Sequence, residues 1–256
     1  MAGVRYSAGL AKEYEELYRT CVADPRHFEQ IDKRVDEILA NKERYESVGK
    51  ELGIPWYVIG VIHSLESDLD FSRHLHNGDP LTARTVHVPA GRPPYGNPPF
   101  TWEQSAIDAL KLQGLHKVKD WSLPRTLYEL ERYNGWGYRL YHPHVLSPYL
   151  WGCSNHYKSG KYLADGRWSD TAKSKQCGAA VLLHRLEERG EIAFYPEPGP
   201  IFYYSNGPVP ETEKLQRFLN QFPGIALRVD GWPGKRTSAA VKKVFGFYLL
   251  NDPRNK

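Results

Sequence analysis

The chain has 256 residues, long enough to bury a sizeable core as one generous domain or as a larger and a smaller one. Its 41% hydrophobic and 25% charged residues exclude collagen-like, disordered and membrane-spanning classes for the bulk of the protein. The 34 Lys and Arg exceed the 30 Asp and Glu by four and form no basic block, so nucleic acid is not an expected partner; aromatics at 13% suit an extended, anionic, ring-bearing ligand.

In chain order, Leu10 to Leu52 carries helical spacing. Tyr14, Leu17, Tyr18 and Cys21 precede an Asp24-Pro25 break, and Phe28, Ile31, Val35, Ile38 and Leu39 follow it, which predicts two amphipathic helices. Gly53 then punctuates, and Pro55 is placed to open a helix through Ser67, where its missing N–H costs nothing. That helix is apolar nearly all round and is predicted to lie at the centre of its domain. Between Asp68 and Pro99, the Asn77-Gly78 pair and the alternation Thr85-Val86-His87-Val88 predict a small hairpin. Thr101 with Gln104 predicts a capping box, and further helices are expected over Leu123 to Tyr133 and Ser169 to Arg189. Five prolines mark 196–210 as a linker. The tail starts a new helical pattern at Leu215, turns at Asp230 to Gly234 and ends in a helix from Thr237 through Phe245. The expected organisation is a mainly α domain over 1–195 with a small hairpin, the linker 196–210, and a separate helical module over 211–256.

The longest apolar stretch, Ile54 to Ile62, falls well short of the roughly 18 residues that span a bilayer. The first ten residues lack the pattern of a cleaved secretory signal, so synthesis in the cytoplasm is expected, with any export by another route. Cys21, Cys153 and Cys177 are an odd count without CxxC spacing, which indicates neither a disulfide framework nor a Cys-based zinc site. They are read as buried free thiols, with a Cys153–Cys177 pairing left open.

Glu66 stands out on chemistry alone. A carboxylate closing a nearly all-apolar helix is desolvated by its neighbours, and the negative end of the helix dipole also disfavours its ionised form. A carboxyl kept neutral near pH 6 to 7 is what protonating a glycosidic oxygen requires. The competing reading is a solvated residue emerging from the core. For a second catalytic group, Asp79 lies 13 residues on, in a segment that also reads as an ordinary turn. His74, His76 and His87, or His142, His144 and His156, offer zinc-like sets that chance accounts for in a chain with ten histidines, and no metal or cofactor is expected. Nine aromatics between Tyr133 and Trp168 include rings suited to stack on sugars, against core packing as the alternative for any one of them.

The run from Ile59 to Glu66-Ser67 resembles the Glu-Ser signature that closes the catalytic helix of goose-type lysozymes and soluble lytic transglycosylases. Downstream, Tyr133-Asn134-Gly135-Trp136 resembles the Tyr-Asn-Ala-Gly segment of the same enzymes. In the tail, Leu215-Gln216, Asp230-Gly231, Gly234, Thr237 and Ala240-Val241 resemble the three-helix peptidoglycan-binding module, and the combination is similar to phage endolysins. Asp79 with Thr85 resembles the hairpin Asp and Thr that phage-type lysozymes place after their Glu. The resemblance implies a lysozyme-like domain whose Glu66 acts as general acid on the β-1,4 bond between N-acetylmuramic acid and N-acetylglucosamine. It also implies Asp79 and Thr85 at the attacking water, Ser67, Tyr133, Asn134 and Trp136 at the substrate, and Asp230, Gly231 and Trp232 in wall binding. The partner implied is the peptidoglycan glycan strand, met by a monomer after release to the wall by a separate route. Two alternatives are a lytic transglycosylase, which needs only the one Glu, and a noncatalytic wall-binding protein on the same scaffold.

Overall fold

Three amphipathic helices open the chain where two were expected: α1 (Ala8–Arg19), α2 (Phe28–Ala40) and α3 (Lys42–Leu52). The extra break falls at Asn41, whose side-chain amide donates to the Glu37 carbonyl at 2.9 Å and so competes with the helix for a backbone acceptor. The computed structural model describes residues 3–164, 166–195 and 202–255. These fall into two compact units, Met1–Phe194 and Tyr195–Lys256.

In the larger unit, α4 (Trp56–Ser67) follows Pro55 and is buried on nearly every side, among α2, α3 and helices that come later in the chain. Gly60 permits this close approach: a Cβ there would lie 2.8 Å from Ile38 Cγ2 and 3.3 Å from the Tyr45 ring. Val58, Ile59, Val61 and Ile62 are fully enclosed, each contributing about 1.5–3 kcal/mol relative to an exposed side chain. After a long loop, α5 (Trp102–Leu112) starts with the capping box, Thr101 and Gln104 exchanging bonds at 3.2 and 3.0 Å. There follow α6 (Leu123–Asn134), the short α7 (Gly137–Tyr141) and α8 (Pro148–Trp151), then the antiparallel pair β1 (Lys161–Ala164) and β2 (Arg167–Ser169), and α9 (Ala179–Glu188).

The hairpin is therefore displaced from the expected place. Residues 74–88 form an irregular loop, because Val86 and Val88 are exposed and the Val86 and His87 amides are taken by the Asp79 carboxylate instead of a neighbouring strand. The predicted helix Ser169 to Arg189 loses its first half, since β2 and an extended run to Gly178 precede α9. Among the described residues no helix is long and apolar enough to cross a membrane.

The smaller unit holds two helices among its described residues, α10 (Thr212–Leu219) and α11 (Lys235–Phe245), the two that the residue pattern predicts, where the resemblance implies three. Its hub is Gln216, 1% exposed. The amide oxygen accepts from the Asp230 and Gly231 N–H groups at 2.9 and 3.0 Å, and the amide nitrogen donates to Asp230 at 2.8 Å and Thr237 at 3.2 Å. A core of Leu219, Ala240, Val241 and Leu249 is small, so this network carries much of the specificity of the fold. The first part of the expected linker, 196–201, lies outside the described residues. The rest is no linker: Tyr204 N–H bonds the Leu250 carbonyl at 2.8 Å, Val209 N–H bonds the Gly231 carbonyl at 2.9 Å, and Val209 is buried. Prolines spaced along an extended segment still allow the intervening amides to pair.

Candidate active site

The C-terminus of α4 leaves backbone carbonyls that need partners, and the chain supplies one from far away and one from the turn that follows. The Gln176 amide donates to the Leu65 carbonyl at 2.6 Å, and the Leu69 N–H bonds the His63 carbonyl at 3.3 Å. Asp68 and Leu69, neither of them glycine, both take left-handed backbone conformations (φ 57° and 61°) immediately after Glu66-Ser67. Arg34 of α2 pins this turn through an ion pair with the Asp68 carboxylate. Backbone strain of this kind persists where surrounding structure over-determines it, and such places cluster at functional sites.

Glu66 is partly exposed and sits among aromatic rings. The Tyr149 hydroxyl donates to Glu66 Oε1 at 2.8 Å. The Tyr133 hydroxyl is buried close enough that its acidity is weakened first by desolvation and then by the Glu66 charge. Burial raises the Glu66 pKa above the ordinary carboxylate value, and the Tyr149 bond opposes that rise without cancelling it. Tyr149 itself is pushed well above the usual phenol range by burial and the neighbouring carboxylate, so it stays a neutral donor.

Beside this group lies a cleft of about 150 Å³ lined by Asn134, Tyr138, Pro148, Tyr149, Lys161, Ser174 and Gln176. Amides, hydroxyls and one ammonium beside the Tyr138 and Tyr149 rings suit a ligand dense in hydroxyl and amide groups. Next to it, Tyr138, Tyr162 and Trp168 meet edge to face at 5.1–5.5 Å, and His142 stacks on Trp168 at 3.5 Å.

Two glycines fix the wall that carries Gln176. The Gly178 N–H bonds the Gly152 carbonyl at 2.9 Å, and a Cβ on Gly178 would stand 2.3 Å from the Leu150 carbonyl oxygen. The backbones approach so closely that only glycine fits.

Of the residues singled out in the sequence, Tyr133 lies close to Glu66, and Asn134 lines the cleft that Tyr149 shares. The others are engaged elsewhere. Ser67 is buried and turns its hydroxyl to the His63 carbonyl at 3.5 Å, closing its own helix. Trp136 packs on Tyr128 with ring centres 5.1 Å apart, against the core. Asp79 organises its loop: the carboxylate accepts from Val86 N–H at 2.8 Å, His87 N–H at 3.0 Å and Asn77 Nδ2 at 3.1 Å, with His87 Nδ1 at 2.6 Å. The His87 bond, foremost, holds Asp79 below the usual carboxylate range. Thr85 Oγ donates to the Pro89 carbonyl and accepts from Arg92 N–H at 2.8 Å. Among the described residues neither Asp79 nor Thr85 shares a hydrogen bond with Glu66, and the expected hairpin pair is a loop clasp.

His63 is likewise enclosed, bonded to the Tyr45 hydroxyl at 2.9 Å, with its pKa pulled down to about 4 by burial. Ser105, His76 and Asp108 follow the order of a nucleophilic triad, with Ser105 Oγ 3.4 Å from His76 Nδ1 and His76 Nε2 2.8 Å from Asp108. Ser105 is fully buried, its oxygen is engaged by Leu75 N–H and His74, and Asp108 is neutralised by Arg92, so the set fastens the loop to α5. Among the described residues no group of three or more His, Cys, Asp or Glu is arranged to hold a metal. In the smaller unit Asp230 and Gly231 belong to the Gln216 network, while Trp232 is half exposed on a groove of about 380 Å³ that also holds Arg228, Lys235 and Arg236.

In the sequence Tyr149 is one of the nine aromatics between Tyr133 and Trp168 with nothing to single it out, and Gln176 carries no signal at all. They lie 83 and 111 positions from their partners, beyond any local pattern. Compared with protein-family models, curated proteins and solved structures, the chain matches none.

Proposed function

We propose that the larger unit cleaves the β-1,4 glycosidic bonds of peptidoglycan, between N-acetylmuramic acid and N-acetylglucosamine, with Glu66 as general acid. The observation that carries this reading is the Glu66 carboxyl, desolvated at the end of a buried helix and held by the hydroxyl of Tyr149, which itself lines a polar, aromatic-flanked cleft. A neutral carboxyl there delivers its proton to the leaving oxygen as the sugar develops positive charge. The smaller unit would hold the polymer through Trp232 and the adjoining cations.

The commitment of Asp79 to its loop favours a one-carboxylate cycle over a hydrolytic pair. In it Glu66, once ionised, takes a proton from the 6-hydroxyl of the same sugar, which closes on its own anomeric carbon to a 1,6-anhydro product. Mass spectrometry of digested, purified peptidoglycan separates the outcomes: an anhydro end supports this route, and a reducing end supports hydrolysis. Binding to insoluble peptidoglycan without any product, by the parent protein, would favour a noncatalytic scaffold and overturn the proposal.

A further inference from the structure

Cys153 and Cys177 are 24 positions apart in sequence, and their sulfurs touch: Cys177 Sγ donates to Cys153 Sγ at 2.9 Å. Both are buried, 8% and 3% exposed, and both are free thiols. The backbone around them is fixed independently of the sulfurs. Cys153 takes a left-handed conformation (φ 65°), its carbonyl accepts from Asp24 N–H at 2.9 Å, and the Gly152–Gly178 contact clamps the two segments beside it. A disulfide of about 2.05 Å needs the sulfurs to close by less than an ångström. Cys177 also lines a cavity of about 240 Å³ with Gln30, Arg34, Ser64 and Gln176, which gives a small reagent a path to the pair.

The geometry points to Cys153 and Cys177 as a cross-linking site, closed to a disulfide by exchange with a low-molecular-weight disulfide in an oxidising compartment. A thiolate of the pair attacks one sulfur of the reagent, breaking its S–S bond and releasing one thiolate. The second cysteine gives its proton to water, attacks the protein sulfur of the mixed disulfide and expels the other thiolate. The protein loses two electrons and two protons, and the reagent becomes two thiols. The bond closes segment 154–176, which contains β1, β2 and the cleft residues Lys161, Ser174 and Gln176. It ties the base of the cleft wall, whatever ligand the cleft takes, so the inference stands apart from the enzymatic reading.

The test treats the full chain with oxidised glutathione or with reductant, alkylates it in denaturant and maps the peptides. The expected oxidised form carries one alkyl group, on Cys21, with the Cys153 and Cys177 peptides linked and the mass lower by two hydrogens. Its Tm rises by about 5–10 °C, a shift that reductant reverses and that Cys153→Ser and Cys177→Ser each abolish. Three alkylated cysteines, glutathione retained on either residue, a link that includes Cys21, or a link without a rise in Tm would overturn the proposal. Cys21 is a stringent internal control because it lies beside Ser154.

Discussion

Two carboxylates 13 positions apart in sequence, Glu66 and Asp79, meet opposite environments. Glu66 closes an apolar helix, receives one phenol hydrogen bond and is held above its ordinary pKa. Asp79 is wrapped by two backbone amides, an asparagine and a histidine, and is held below it. Donor count and solvation, more than residue type, divide them: one is prepared to give a proton, the other to anchor a loop.

The sharpest way to break that contrast is to neutralise each in turn. Glu66→Gln is expected to lower turnover of purified peptidoglycan by about 10³-fold while leaving the fold intact. Asp79→Asn is expected to keep turnover per folded molecule within about tenfold and to lower Tm. Because the folded pKa of Asp79 is depressed, its contribution is present above the unfolded value and is lost as pH falls through the folded one. The Tm difference between parent and Asp79→Asn is therefore expected at pH 5–7 and fades toward strong acid. Equal losses of turnover would remove the distinction.

Next in size is the wall beside Glu66. Gly178→Ala places a methyl against the Leu150 carbonyl, and a destabilisation of about 3 kcal/mol is expected in urea unfolding. A neutral result would mean that the wall can shift, and that Gln176 is not held as tightly as its 2.6 Å bond to Leu65 implies.

A smaller effect isolates the tyrosine. The Tyr149 hydrogen bond lowers the Glu66 pKa against the larger effect of burial. In Tyr149→Phe burial acts unopposed, so the alkaline limb of the pH–rate profile is expected to move to higher pH, with a rate change of about tenfold or less. Movement to lower pH would contradict the assignment of Glu66 as the proton donor.

What the sequence made legible was local. The apolar run through α4 and the Thr101–Gln104 box are patterns within one helix, and both appear in the structure. The misplaced hairpin shows the limit: Thr85 to Val88 alternates like a strand, but Val86 and Val88 face solvent and Asp79 captures the amides. Lys161 to Ser169 alternates no more convincingly, yet it pairs because its rings pack on Tyr138 and His142 from elsewhere in the chain. The site follows the same rule. Glu66 was visible from its own helix, whereas Tyr149 and Gln176 become partners only once α8 and the run before α9 fold against the end of α4.

The most direct test of the central claim is a carbon-13 NMR titration that follows the Glu66 and Asp79 side-chain carboxyl carbons in one sample of the intact protein. Glu66 is predicted to titrate above 4.5 and Asp79 below 3.8, their ordinary values. Titration of Glu66 at or below its ordinary value would contradict the account.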